Sequence, residues 1–414
     1  MPRIGVIGAG YVGLTTAACF AHLGHEVVCA DVDADKVRAL NAAEIGAHEP
    51  GLRDLVVEGT RTGRLRFVTG NREALSDVDF VFVCVPTPCG PDGRADLSVV
   101  SAVLGEADGS DAVLVVKSTV PVGTTARYPG VVSNPEFLRE GFAVEDFLRP
   151  QRVVVGAPDE RLARRVAALY APTGAPVVLT DNASAELVKY ASNCFLALKL
   201  SYVNTLAELC EEVGADIDGV TEGMCLDERI GASCLAPGPG WGGSCLPKDT
   251  RALLSTADAA LVDFPVLRAA ISTNRHQLHR VVAKVRAEAG TLAGARIGLL
   301  GLTFKAGTDD LRDSPALAVA DLLAAEGATL TGYDPCVAAD VGPVTVLASA
   351  EAAARDAQVL VVLTEWPEFA ELDWPALAAA MPDPAIVDTR NVVPVDKVTE
   401  AGFRLFTTGR GARP

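Results

Sequence analysis

Arg3-Ile4-Gly5-Val6-Ile7-Gly8-Ala9-Gly10-Tyr11-Val12-Gly13 decides the fold. Its first five residues read as a short buried strand, and Gly8, Gly10 and Gly13 follow in a G-x-G-x-x-G pattern that opens an apolar helix over Leu14–Leu23. Gly24 stops that helix, and a second strand, Glu26–Ala30, ends at Asp31, eighteen residues beyond Gly13. Glycines between a strand and a helix allow a tight turn, close approach of a pyrophosphate and close helix packing. The helix N-terminus then offers its backbone donors to phosphate. A carboxylate at Asp31 accepts from ribose hydroxyls and repels a 2′-phosphate, so the reading is NAD rather than NADP.

Further apolar runs extend the same parallel-sheet pattern. Phe80–Val85 breaks at Pro86-Thr87-Pro88, and Val113–Lys117 breaks at Ser118-Thr119-Val120-Pro121. Strands that are apolar on both faces belong in the middle of such sheets. Their carboxyl ends are where ligands sit, which makes Thr87 and Thr119 either cofactor-site residues or plain strand-end turns. Ser133-Asn134-Pro135-Glu136-Phe137-Leu138-Arg139-Glu140-Gly141 reads as a helix start, with Asn134 as N-cap and Pro135 at the first helical position. Glu136 and Glu140 would then share a helix face, as site carboxylates or as compensation of the helix dipole. Asn182–Val213 carries neither Gly nor Pro and closes at Gly214, predicting a central helix about 45 Å long that is apolar on most faces and so buried between domains or subunits. On it Lys189 and Asn193 lie one turn apart and could hold an oxyanion together. A solvent-facing lysine with an incidental asparagine is the plainer alternative.

A second α/β unit begins at Ala295-Arg296-Ile297-Gly298-Leu299-Leu300-Gly301 and repeats strand, helix and strand without a full glycine fingerprint. Between the halves lies Pro237-Gly238-Pro239-Gly240-Trp241-Gly242-Gly243-Ser244-Cys245-Leu246-Pro247-Lys248-Asp249. Here a thiol, a cation and a carboxylate fall within five residues of a glycine-rich approach. A neighbouring lysine favours thiolate, although a Gly/Pro loop around an inert cysteine would look similar.

Composition sets the bounds. The chain has 414 residues, 49% hydrophobic and 21% charged, with a net charge of −17. It is long enough for two or three cores. The acidic balance argues against nucleic acid or an anionic membrane as partner. No stretch approaches the ~20 apolar residues of a membrane span, and Arg3–Ile7 reads as strand rather than as part of a signal peptide. Ten cysteines without a CxxC pair point to a reducing, cytoplasmic setting with no disulfide framework and no metal site.

Taken together these motifs resemble the UDP-glucose/GDP-mannose dehydrogenase family over essentially the whole chain. The resemblance rests on Gly8–Gly13, Lys117–Gly123, Asn134–Gly141, Lys189 with Asn193, Gly242–Asp249, and Phe304-Lys305 through Arg312-Asp313-Ser314-Pro315. It implies two Rossmann-like doubly wound parallel-sheet α/β domains joined by a long central helix and a small helical middle domain. The expected boundaries are 1–180 for NAD, 181–293 for dimerisation and the catalytic cysteine, and 294–414 for the nucleotide sugar. It implies an NAD-dependent, four-electron oxidation of a nucleotide-sugar hydroxymethyl through Cys245. Lys189, Asn193, Asp249, Thr119 and Glu136 would complete the chemistry. Gly8, Gly10, Tyr11, Val12, Gly13, Asp31, Lys36, Thr87, Thr119, Glu140, Lys248 and Arg312 would contact NAD. Glu136, Phe137, Leu138, Lys189, Asn193, Arg229, Gly238, Trp241, Gly242, Phe304 and Lys305 would contact the sugar nucleotide, Arg229 that of a neighbouring subunit in a homodimer. UDP-glucose leads UDP-N-acetylhexosamines and GDP-mannose. A two-electron β-hydroxyacid-type dehydrogenase and a non-catalytic nucleotide-sugar-binding protein are the alternatives; Cys245 with its glycine loop and the second α/β domain speak against the first, and the presence of both Cys245 and Lys189 against the second. The chain departs from the family in a short Thr124–Val131 segment, in Trp241 where phenylalanine is common, and in small residues over 230–235.

Overall fold

The structure, a computed structural model, describes residues 1–46, 49–90 and 93–410. They divide into two compact units, Met1–Ser192 with Arg251–Val262, and Asn193–Thr250 with Asp263–Pro414. The helices that bear on the site are α1 (Tyr11–His22), α2 (Ala34–Asn41), α3 (Leu52–Arg61), α4 (Ser98–Glu106), α5 (Ala143–Leu148), α6 (Glu160–Ala167), α7 (Asn182–Val213), α8 (Ile217–Cys225), α9 (Leu246–Ala259), α10 (Pro265–Ala289) and α11 (Pro315–Ala325).

The first unit holds eight strands: β1 (Arg3–Ile7), β2 (Glu26–Asp31), β3 (Leu65–Thr69), β4 (Phe80–Val83), β5 (Val113–Val116), β6 (Val132–Ser133), β7 (Val153–Gly156) and β8 (Val177–Thr180). Their order is β3-β2-β1-β4-β5-β6-β7-β8. Strand order reverses direction at β1, where β1 pairs with both β2 and β4, and this switch point is where α/β sheets bind ligands. A Cβ on Gly13 would fall 1.8 Å from the carbonyl oxygen of Gly8, so only glycine lets α1 pack this close. Phe20 of α1 anchors the core, with ring centroids 5.0 Å from Phe82, 5.1 Å from Phe147 and 5.2 Å from Tyr170. The sheet is not parallel throughout: β6 meets β7 antiparallel at Ser133–Gly156.

The expected helix at Asn134 is absent, and the first helix after β6 is α5, starting at Ala143. Asn134 is used across the sheet instead. Its Oδ1 accepts from Lys117 and Tyr170, and its Nδ2 donates to the Val154 carbonyl. An asparagine engaged in this way cannot cap, and Glu136 and Glu140 therefore do not share a helix face.

The short connection between β5 and β6 has one 3-10 turn, Thr125–Arg127, in place of a crossover helix. It is secured by α7. Glu186, buried, accepts from Gly123 N, Thr125 N and Thr125 Oγ1 at 2.6, 2.8 and 2.7 Å, and Asn182 Nδ2 donates to the Val131 carbonyl at 2.9 Å. Glu186→Ala strands these donors in a buried site. It is expected to lower stability by about 3 kcal/mol, read from the urea midpoint; an unchanged midpoint would show that other contacts hold the segment.

The second unit holds a parallel sheet of β9 (Arg296–Leu300), β10 (Thr329–Tyr333), β11 (Val344–Val346), β12 (Val359–Val362), β13 (Ala385–Asp388) and β14 (Arg404–Thr407), in the order β11-β10-β9-β12-β13-β14. Its first βαβ turn repeats that of the first unit bond for bond. Gly301 N donates to the Tyr333 carbonyl as Gly8 N does to Ala30, and Leu302 N donates to Asp334 as Ala9 N does to Asp31. The two acids then differ. Asp334 Oδ2 also accepts from Thr303 N, Thr303 Oγ1 and the Trp366 indole, and the residue is buried. The position that corresponds to Asp31 is thus filled by the second unit's own donors.

Within the second unit, α7 packs Val203, Ala207 and Cys210 against Ile217 and Leu235. Its opposite side shows Phe195, Tyr202 and Leu209 at 61, 56 and 54% exposure, seven residues apart. The expected burial therefore covers one side of α7 in this unit and leaves an apolar stripe on the other. No helix among the described residues is long and apolar enough to cross a membrane.

Candidate active-site residues

In the first unit the glycine fingerprint forms an open cradle. Gly8 takes φ +96°, where a Cβ would lie 2.8 Å from the Cys84 carbonyl oxygen, whereas a Cβ on Gly10 would meet nothing within 4 Å. No side chain caps α1, and its first turn has no acid. Its donors are left to an incoming phosphate. Asp31 accepts from Ala9 N at 2.9 Å and pairs with Lys36 at 3.0 Å. Burial raises its carboxyl, but the Asp33 amide, Lys36 and the Ala9 amide outweigh it and hold it below the ordinary value. The residues present fit a dinucleotide with a free ribose 2′-hydroxyl.

Tyr11 and Val12 open α1. The Tyr11 hydroxyl donates to Glu49 and to the Arg139 carbonyl. Glu49 also accepts from Gly141 N and Ala143 N, both at 2.8 Å, so one buried carboxylate joins the fingerprint helix to the segment after β6. Glu140 belongs to that segment and lies close enough to Tyr11 to help raise its phenol. Thr87 donates to the Thr119 carbonyl at 2.8 Å, which brings the two strand-end threonines together.

Glu136 and Lys189 form a buried ion pair at 2.7 Å, with side-chain exposures of 7 and 5%. Glu136 also accepts from Leu138 N at 2.6 Å. Burial pushes this carboxyl up, but Lys189, the Leu138 amide and Lys117 prevail, holding it below its usual value. The Phe137 ring lies 3.8 Å from the Arg152 guanidinium and 5.6 Å from the Lys189 ammonium.

In the second unit Cys245 immediately precedes α9, a position where the helix dipole favours thiolate. Ser244 Oγ lies 3.5 Å from its sulfur. One turn on, Asp249 donates its amide to the Cys245 carbonyl at 2.9 Å. Its carboxylate is buried and accepts from Asn193 Nδ2 and from Lys248 Nζ, each at 2.6 Å. Asn193 of α7 is therefore joined to the cysteine's own helix. Beneath them burial, reinforced by Asp249, pushes the Cys194 thiol up to about 12, so it remains protonated.

The glycine loop before Cys245 is held from below. Gly238 N donates to Asn204 and its carbonyl accepts from Gln277. Asn274 makes reciprocal bonds with the Trp241 backbone at 2.7 and 2.9 Å. The Trp241 indole, which phenylalanine lacks, donates to Ser201 Oγ at 2.8 Å, and Ser201 in turn donates to the Ala270 carbonyl. A Cβ on Gly242 would lie 2.0 Å from the Asp313 carbonyl oxygen, and one on Gly243 2.7 Å from the Phe304 ring. The loop thus lies directly on the 304–313 segment. Lys305 Nζ is 5.7 Å from the Phe304 ring centroid.

Two further expected residues are each held by a neighbouring acid. Arg312 is exposed and bidentate to Asp310, and Arg229, 89% exposed, is bidentate to Asp227. Arg390, in contrast, was not singled out from the sequence. It follows β13, donates to the Leu363 and Phe304 carbonyls, and lies where a Cβ on Gly238 would be 2.7 Å from its Nη1. Its position at a strand's carboxyl end was the available signal.

Residues 2–174 match the NAD binding domain of the UDP-glucose/GDP-mannose dehydrogenase family, residues 183–276 its central domain and residues 298–395 its UDP binding domain. The chain belongs to this family. Among its relatives, a UDP-glucose 6-dehydrogenase of Rhizobium meliloti is 43% identical over 99% of both chains. One of Bacillus subtilis is 40% identical over 100% of this chain and 94% of its own. In the solved structure of a UDP-glucose dehydrogenase from Pyrobaculum islandicum, 36% identical, the fold is shared with a TM-score of 0.91 over 100% of this chain and 98% of that one. As a UDP-glucose/GDP-mannose dehydrogenase family member, the protein is an NAD-dependent oxidoreductase with a nucleotide-sugar-binding domain.

Proposed function

We propose that the protein oxidises the C6 hydroxymethyl of UDP-glucose to the carboxylate of UDP-glucuronate, consuming two NAD⁺ and one water. The observation that carries this reading is Cys245 at the N-terminus of α9, with Asp249 one turn behind it and bonded to Asn193. When bound, NAD supplies the hydride acceptor for each of two oxidations. The protein's own residues do the rest. The alcohol proton leaves through water held by Thr119 and Glu136. The Cys245 thiolate adds to the aldehyde carbon, giving a thiohemiacetal that cannot escape. Loss of a second hydride leaves a thioester, water adds to its carbonyl, and the thiolate departs. Lys189 and Asn193 stabilise the oxyanion at each tetrahedral stage, and Asp249 takes the proton of the attacking water.

In this reading Gly8, Gly10, Tyr11, Val12, Gly13, Asp31, Lys36 and Thr87 hold the cofactor, with Glu140, Lys248 and Arg312. Phe137, Leu138, Gly238, Trp241, Gly242, Phe304 and Lys305 surround the sugar nucleotide. The stretches 1–180, 181–293 and 294–414 act as cofactor, central and nucleotide-sugar domains. The test is NADH formed per sugar nucleotide consumed, across UDP-glucose, UDP-N-acetylglucosamine, UDP-N-acetylmannosamine and GDP-mannose. Two NADH with UDP-glucose preferred is expected; one NADH would reduce the enzyme to a two-electron alcohol dehydrogenase, and preference for another sugar would move the substrate.

The Phe195, Tyr202 and Leu209 stripe supports a homodimer through α7, since an apolar face this long is seldom left in water. Arg229, exposed beyond α8, would then reach the partner's nucleotide. Tyr202→Glu is expected to convert a dimer to a monomer in sedimentation; a monomeric wild type would sink this arrangement.

A further inference from the structure

β5 runs into Lys117, whose ammonium is buried. Its Nζ donates to the Tyr170 hydroxyl at 3.2 Å and to Asn134 Oδ1 at 3.3 Å, and lies 5.6 and 5.8 Å from the Tyr170 and Phe147 ring centroids. Among the described residues no carboxylate comes within ion-pair distance of it. A buried ammonium without a carboxylate partner is costly. The hydrogen bonds it makes could be supplied by a neutral side chain, so the charge itself calls for an account.

The titratable and charged groups facing it come from each surrounding element: Cys84 after β4, Glu136 after β6, Tyr170 from the 3-10 segment Ala168–Thr173, and Lys189 from α7. Burial pushes the Cys84 thiol up to about 12 and the Tyr170 phenol well above its ordinary value. Both are neutral near pH 7, which leaves Glu136 as the one anion in the cluster. Lys117 is set against it in two ways. It acts through space on the carboxylate, and it bonds Asn134, two residues before Glu136 in the same extended segment. Burial brings the ammonium down to about 8, against the opposing pull of Glu136, so it is still charged at neutral pH.

The arrangement has a consequence for the proposed reaction, on which this inference rests. If Lys189 turns to a substrate oxyanion, Glu136 loses its direct partner. A buried carboxylate alone would take up a proton. We propose that Lys117 is a positioning residue, a second buried cation that keeps Glu136 ionised and its segment in place while Lys189 serves the substrate.

The test is the pH profile of kcat, which reports the substrate complex, at saturating UDP-glucose and NAD for wild type, Lys117→Met, Lys117→Gln and Lys117→Arg. Gln keeps hydrogen-bonding capacity towards Asn134 and Tyr170, so one uncharged variant is available even if Met prevents folding. The uncharged variants should move the acid limb up by about one pH unit, and Arg should return it towards wild type. A purely structural lysine would lower the plateau or the Tm but leave the limb where it was; that result would overturn the inference. Glu136→Gln separates this from the underlying reading. If it removes the acid limb while the Lys117 variants leave the limb unmoved, only the role of Lys117 falls. If the acid limb survives in Glu136→Gln, the role of Glu136 falls and that of Lys117 with it.

Discussion

Cys245→Ala is expected to cut carboxylate formation by at least about a thousandfold, with NAD affinity unchanged in a fluorescence titration. The Cys245 carbonyl that accepts from Asp249 N is backbone and survives the substitution. Without the thiol no covalent bond can hold the aldehyde or become a thioester. The variant should therefore show at most one slow NADH per sugar nucleotide, with free or hydrated aldehyde as the product seen by NMR. Acid formation at the wild-type rate would remove the thioester route and leave hydrate oxidation as the mechanism.

Lys189→Ala should lower kcat by about a hundred- to a thousandfold, with a far smaller change in the affinity for UDP-glucose. The lysine donates to Glu136 in the resting protein, and an ammonium has three donors. An oxyanion that develops during reaction gains more from that charge than a neutral hydroxyl does. The substitution also leaves Glu136 buried without its direct partner, so its carboxyl should rise and the acid limb of activity should move to higher pH. Removing one partner of a buried pair costs about 3–5 kcal/mol, and kcat should be compared at a temperature where the variant is folded. If only KM changed, Lys189 would be a binding residue and its oxyanion role would be wrong.

Much of this was legible in the chain itself. Local pattern determined β1, α1 and the strand ending at Asp31, because fingerprint, helix stop and acid all lie within a few turns of backbone. The same holds for α7, whose ends are written in Asn182 and Gly214. Cys245, Lys248 and Asp249 were recognisable as a group because they are neighbours in sequence. Asn134 misled for the complementary reason. Asn-Pro is a good helix start by local rules, but Lys117, Tyr170 and Val154 needed its polar atoms more, and all three arrive from other strands and turns.

What the sequence by itself determined was therefore backbone: which stretches are strands, which turns need glycine, and which residue types are present to do chemistry. Only the tertiary structure decided who faces whom. Glu136 finds Lys189 across 53 residues, Asn193 finds Asp249 across 56, and Glu186 pins the shortened crossover from 61 residues away. The sealing of Asp334 by Trp366, where its counterpart Asp31 stays open, was equally invisible. The physical reason is that a buried charge or amide must be satisfied, and its partner is set by sheet order and helix packing rather than by spacing along the chain.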